Sequence, residues 1–194
     1  MKQMSYILVP GLGDHKAIFE WFYSWVARRW TRKGMVTTVF EPRWVDAERY
    51  EAKYQRLLEL IQKQEGRGVV LVGVSAGAAL SYLAFAERRG AECFVSVCGF
   101  TQLQDRDRSN PQLMCLSWYQ AADAAQKAGQ GLSAPERRRI LSFIPRSDSV
   151  INPKQQFIDG AQNIQLKSRG HLMSIVVTLL WHRRQIKAFA TSRG

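Results

Sequence analysis

Apolar positions along this chain switch repeatedly between two periods. The short unbroken runs Tyr6–Val9, Val36–Phe40, Val69–Val72, Cys93–Val97 and Ile140–Ile144 have the length and composition of buried strands. Ile164–Leu166 is a sixth, weaker candidate. Between the runs the spacing changes to three and four. Ile18, Phe22, Val26 and Trp30 share one face of a helix predicted over His15–Lys33, with Gly34 as its stop. Tyr50, Tyr54, Leu57, Leu58 and Ile61 do the same over Ala47–Gln64, with Gly66 beyond it. Ala76–Arg89 and His171–Phe189 read as further helices. This alternation predicts an α/β fold: an open, mainly parallel six-stranded sheet with helices on both faces.

Gly99–Arg139 breaks the rhythm, being long and without an obvious strand. Within it Pro111–Lys127 reads as a helix carrying Met114, Leu116, Trp118 and Tyr119, a small lid or a partner surface. The expectation is one domain over residues 1–194 with a partly helical insertion at about 99–139.

Composition narrows the class. With 46% hydrophobic and 23% charged residues the chain is globular rather than disordered. Its first residues lead straight into a strand and lack the apolar core of a signal peptide. Leu172–Trp181 is too short to span a bilayer. Cys93, Cys98 and Cys115 show neither metal nor disulfide spacing, so no metal is expected and a cytoplasmic location is. The net charge of +12 favours anionic partners, whether substrate, nucleic acid or lipid surface. The basic residues are scattered in pairs such as Arg28-Arg29, Arg88-Arg89 and Arg183-Arg184. With no zinc-finger spacing, aromatic RNA-binding motif or basic tail, the charge reads as a solvated surface rather than a nucleic-acid site.

The candidate chemistry begins at Gly73-Val74-Ser75-Ala76-Gly77, directly after the Val69–Val72 strand and before a helix. A strand turning sharply into a helix leaves Ser75 at a strained apex, where bulky neighbours at 73 and 77 would collide with the adjoining elements. The turn lifts the hydroxyl clear of the sheet and aims the helix N-terminus at a developing anion. A serine nucleophile also needs a base and an orienting acid. The chain has three histidines, His15, His171 and His182. His171 follows the last predicted strand through Lys167-Ser168-Arg169-Gly170; His182 falls within a basic helix, and His15 opens the first helix. For the acid, Asp148 lies on the loop leaving the penultimate strand; Asp159, Asp105 and Asp107 are its rivals, Asp159 being placed on the following helix. The oxyanion needs backbone donors. One is the N–H of Ala76, after the nucleophile, and the other is expected from the Pro10-Gly11-Leu12-Gly13-Asp14 loop after the first strand.

Taken in chain order, Gly11-Leu12-Gly13, the Gly-x-Ser-x-Gly turn, Asp148 and Gly170-His171 resemble the α/β-hydrolase superfamily over nearly the whole length. Pro10 stands where that family usually has histidine. The resemblance implies a compact member lacking the first two strands and any large lid, with chain order 2-1-3-4-5-6 in the sheet. It implies a cofactor-free serine hydrolase with Ser75, His171 and Asp148 as triad and Leu12 and Ala76 as oxyanion donors. The expected substrate is a small carboxylic ester in an open cleft. Two alternatives remain at this stage. One is a hydrolase-like binding protein without activity, suggested by Pro10. The other is a dinucleotide fold, suggested by Gly11-x-Gly13 and Glu41 but lacking the third glycine, at Lys16.

Overall fold

The structure of this chain is a computed structural model, which describes residues 3–64, 66–99, 103 and 116–192. Its strands are β1 (Met4–Val9), β2 (Val36–Val39), β3 (Gly68–Val74), β4 (Ala91–Val97), β5 (Ile140–Ile144) and β6 (Gln162–Gln165). The helices are α1 (Ala17–Thr31), α2 (Tyr50–Gln62), α3 (Gly77–Ala86), α4 (Leu116–Gln130), α5 (Ala134–Arg137), α6 (Pro153–Gln156), α7 (His171–Trp181) and α8 (Arg183–Thr191). All strand pairings are parallel, in the order β2-β1-β3-β4-β5-β6. This is the expected order, and it differs from the 3-2-1-4-5-6 order of the dinucleotide fold.

The continuous apolar runs follow from burial on both sheet faces. Successive residues of β1 feed opposite cores: Met4, Tyr6 and Leu8 face one, Ile7 and Val9 the other. On the first side they meet Tyr23, Val26 and Trp30 of α1 together with Ile175 and Leu179 of α7. Trp30 Nε1–H donates to the Leu179 carbonyl at 2.9 Å, tying those two helices together. On the other side lie Tyr54 and Leu57 of α2, nearly all of α3, and Trp118, Ala121 and Ala125 of α4. Leu116–Gln130 is therefore built into the body against α3. Residues 111–115 of the predicted 111–127 helix lie outside the described residues.

Two expectations are corrected. The last strand is Gln162–Gln165 rather than 164–166, because an edge strand pairs by its backbone and needs few apolar side chains. The predicted His171–Phe189 helix is two helices that meet at His182. The turn returns Ile186, Phe189 and Ala190 to the core shared with β4, which a straight helix would pass by on a twisted sheet. Among the described residues no helix is long and apolar enough to cross a membrane.

Candidate active site

β3 enters α3 through Ser75, whose φ of 51° lies in the left-handed region. Non-glycine residues rarely hold that conformation, and the surrounding structure must enforce it. Here Ser75 N–H donates to the Val97 carbonyl, and the Ser75 carbonyl accepts from Ala78 N–H, both at 3.0 Å. The glycines let the elements close on the turn. A Cβ at Gly77 would strike the carbonyl oxygens of Val9 and Pro10. One at Gly73 would lie 2.5 Å from Ala78 Cα.

The side chain of Ser75 meets the C-terminal third of the chain. His171 Nε2 lies 2.8 Å from Ser75 Oγ, and His171 Nδ1 lies 2.7 Å from Asp148 Oδ2. A carboxylate only accepts, so Nδ1 carries the proton and Nε2 accepts from the serine hydroxyl. The loops bearing the two residues are laced together. Arg146 N–H donates to the Ser168 carbonyl at 3.0 Å, and Gly170 N–H donates to the Ser147 carbonyl at 2.8 Å. Gly170, at φ 79°, then turns the chain so that His171 opens α7.

Asp148 is fully enclosed, with a side-chain exposure of 0%. Its Oδ1 accepts from Val150 N–H at 2.8 Å and from Ile151 N–H at 3.0 Å. Gln156 Nε2–H donates to Oδ2 at 2.9 Å, beside the His171 contact. Burial works against the charge, but His171 and the Ile151 and Val150 amides outweigh it and hold the carboxyl below the usual carboxylate range. Gln156 is itself buried and anchored by a second donation to the Ile151 carbonyl at 3.1 Å. Sequence reasoning missed this residue. The available signal was Asn152-Pro153: Asn152 Oδ1 accepts from Lys154 N–H at 3.0 Å and starts α6, the turn that carries Gln156.

The rivals fall elsewhere. Asp159 lies in an exposed turn after α6, not on a helix, because α6 ends at Gln156. Asp105 and Asp107 lie outside the described residues, as does most of the expected roof of the cleft. His15 is exposed and precedes α1 rather than opening it; its Nδ1 is 3.9 Å from Asp14 Oδ1. His182 stands at the α7–α8 junction, bonded to Gln185 Oε1 at 2.9 Å.

The loop after β1 approaches the nucleophile closely. A Cβ at Gly11 would lie 2.8 Å from Ser75 Cβ and 3.3 Å from Ser75 Oγ. Leu12 follows on this loop and Ala76 stands at the start of α3; among the described residues neither amide is hydrogen-bonded. Sequence reasoning also missed what holds this loop. Trp44, buried after β2, donates its Nε1–H to the Pro10 carbonyl at 3.1 Å and its backbone N–H to Asp14 Oδ2 at 3.3 Å. The Trp44 segment is fixed in turn by Lys53, a fully buried lysine that donates to the Arg43 carbonyl at 2.6 Å and to Asp46.

No protein-family model and no curated protein matches the sequence. Solved structures do. A structure of the metagenome-derived lipolytic enzymes LipS and LipT superposes with a TM-score of 0.69 at 12% identity, covering 98% of this chain and 94% of that one. A carboxylesterase structure from the thaumarchaeon Nitrososphaera gargenis gives 0.68 at 13% identity, covering 98% and 92%. The monoacylglycerol lipase of Paleococcus ferrophilus gives 0.64 at 12%, covering 96% and 94%. With its strand order, its strained turn after β3 and these neighbours, the chain has the α/β-hydrolase fold in a compact form of 194 residues.

Proposed function

We propose that this protein is a serine hydrolase acting on carboxylic esters through an acyl-enzyme. The observation that carries the reading is the hydrogen-bonded chain from Ser75 Oγ through the His171 ring to the buried Asp148 carboxylate. In the first half-reaction Ser75 Oγ attacks the ester carbonyl while His171 Nε2 takes the hydroxyl proton. The charge that develops on the carbonyl oxygen is met by the N–H groups of Leu12 and Ala76. Collapse of the tetrahedral species expels the alcohol, which receives the proton from His171, and leaves Ser75 acylated. Water then attacks the acyl group with His171 again as base, releasing the acid and restoring Ser75. Asp148 keeps Nδ1 protonated and stabilises the imidazolium that forms in each half.

The similar structures are those of lipolytic enzymes, carboxylesterases and a monoacylglycerol lipase, which supports ester chemistry. A panel of esters graded in acyl and alcohol size tests the reading, with Ser75→Ala as control. The expected result is turnover by the parent protein and none above background by a folded Ser75→Ala variant. No turnover of any ester by the parent, or equal turnover by the variant, would sink it.

A further inference from the structure

The exposed apolar side chains are unevenly distributed. Among the described residues, the large ones other than Phe157 and Trp181 all follow the C-terminal ends of strands, on the connecting loops or in the opening turns of the next helix. That is the edge of the sheet on which Ser75 stands. Leu12, Ile18 and Trp21 come from the β1–α1 connection and the first two turns of α1. Leu172 and Met173 come from the first turn of α7, immediately after His171. Because α1 and α7 pack on the same sheet face, joined by Trp30, these two groups flank one side of the site. Val45 and Leu116 rise from the opposite face. Trp21 is 58% and Ile18 65% exposed, and the Trp21 ring stacks on Trp25 with centroids 6.4 Å apart. Such an accumulation beside one site marks an interaction surface rather than the scattered apolar residues of an ordinary exterior.

The charges on this edge say what would cover it. Lys16, Arg43, Arg146, Lys167 and Arg169 are all exposed on these same connections. The carboxylates there are mostly consumed internally. Asp14 and Asp148 are enclosed, Asp46 and Glu48 are held by Lys53 and Arg56, and Glu51 pairs with Arg49. Among the described residues Glu20 and Glu41 remain as exposed carboxylates without such a partner. A second copy of the chain would bring the same excess of cations to this edge, so like charge opposes self-pairing. An anionic lipid surface offers the complement of both features: a charged layer for the lysines and arginines, and apolar depth for tryptophan, isoleucine and methionine.

We propose that the Ser75 edge docks on an anionic lipid surface. Resting on the esterase reading, the substrate class is then an amphiphilic ester whose carbonyl lies at headgroup level. A half-buried serine set in an apolar rim meets such an ester at the interface, with the apolar part of the substrate remaining in the lipid.

The docking claim is tested first on the Ser75→Ala protein, so that the result does not depend on catalysis. It should co-float with vesicles of equimolar phosphatidylserine and phosphatidylcholine, and much less with phosphatidylcholine alone. Ile18→Ser combined with Trp21→Ala should weaken partitioning roughly tenfold or more, since two apolar anchors are lost from the membrane side. In the otherwise unaltered enzyme, the same double variant should lose hydrolysis of a vesicle-borne ester and retain hydrolysis of a water-soluble one. Absence of partitioning, equal partitioning of the double variant, or equal loss on both esters would overturn the proposal. So would a dimer in sedimentation velocity that Trp21→Ala dissociates. Partitioning that obeys these expectations while neither ester is cleaved would uphold the docking surface and refute the esterase reading instead.

Discussion

Asp148 and Asp14 sit at the same end of the sheet, both on loops that leave strands, and both are nearly sealed from solvent, with side-chain exposures of 0% and 3%. Their surroundings drive them in opposite directions. Asp148 accepts from two amides, from Gln156 and from the His171 ring, and its carboxyl is held below the ordinary range. Of the three amides that face Asp14, only Trp44 N–H makes a well-formed hydrogen bond, at 3.3 Å to Oδ2, and Oδ1 has no such partner. Burial pushes its carboxyl up, and the amides of Trp44, Arg43 and His15 offset only part of that. Burial alone therefore does not decide whether a carboxylate keeps its charge. The number of donors aimed at it does. Asp148 is equipped as a fixed anion facing a histidine, and Asp14 as a clamp between the β1 loop and Trp44.

The largest effect that separates the two is on turnover. Asp148→Asn should lower kcat by about 10⁴, because an amide permits the wrong imidazole tautomer and cannot stabilise an imidazolium. Asp14→Asn keeps the contact to Trp44 N–H and should stay within about threefold of the parent, a side chain that touches neither reacting atoms nor base. Steady-state kinetics on one soluble ester decide this. Similar losses in the two variants would erase the distinction.

A smaller effect sharpens the account of why Asp148 stays charged. Gln156→Leu removes one donor from Oδ2 and leaves the Ile151 carbonyl without its side-chain partner. It should cost about 1–3 kcal/mol in chemical denaturation, the range for stranding buried polar groups. Unchanged stability would mean that Asp148 does not depend on this donor.

The smallest effect is in the pH dependence of stability, and it has opposite signs. The depressed carboxyl of Asp148 contributes stability that is present above the unfolded value of about 3.9 and is lost as pH falls through the lower folded value. The raised carboxyl of Asp14 carries a penalty that is full above its folded value and relieved as pH falls toward about 3.9. Asp148→Asn should therefore flatten the decline in stability below about pH 4, whereas Asp14→Asn should steepen acid sensitivity above it. Denaturant midpoints measured across that range check both. Changes of the same sign would contradict the contrast.

The sequence made some of this legible and hid the rest for physical reasons. Central strands such as Val69–Val72 stand out because burial on both faces demands continuous apolar residues. Edge strand β6, Gln-Asn-Ile-Gln, pairs on one side and carries no such demand, so its bounds were missed. The turn at His182 was illegible because the apolar stripe runs on through it. Ser75, His171 and Asp148 were nominated by a turn motif and by order along the chain, and the fold brings these three together. Asn152-Pro153 marks the turn that carries Gln156 but not the role of that residue, and Trp44 belongs to no local pattern. Their significance comes from Asp148 and the Pro10–Asp14 loop, which only folding places beside them.

The central claim is that Ser75 is a nucleophile activated by His171. Intact-protein mass spectrometry after exposure to a fluorophosphonate probe tests it most directly. The account predicts one covalent adduct on the parent protein, mapped to Ser75 by peptide sequencing, with none on folded Ser75→Ala and sharply slowed labelling on His171→Ala. A folded parent protein that takes up no probe, or an adduct that persists in Ser75→Ala, would contradict it.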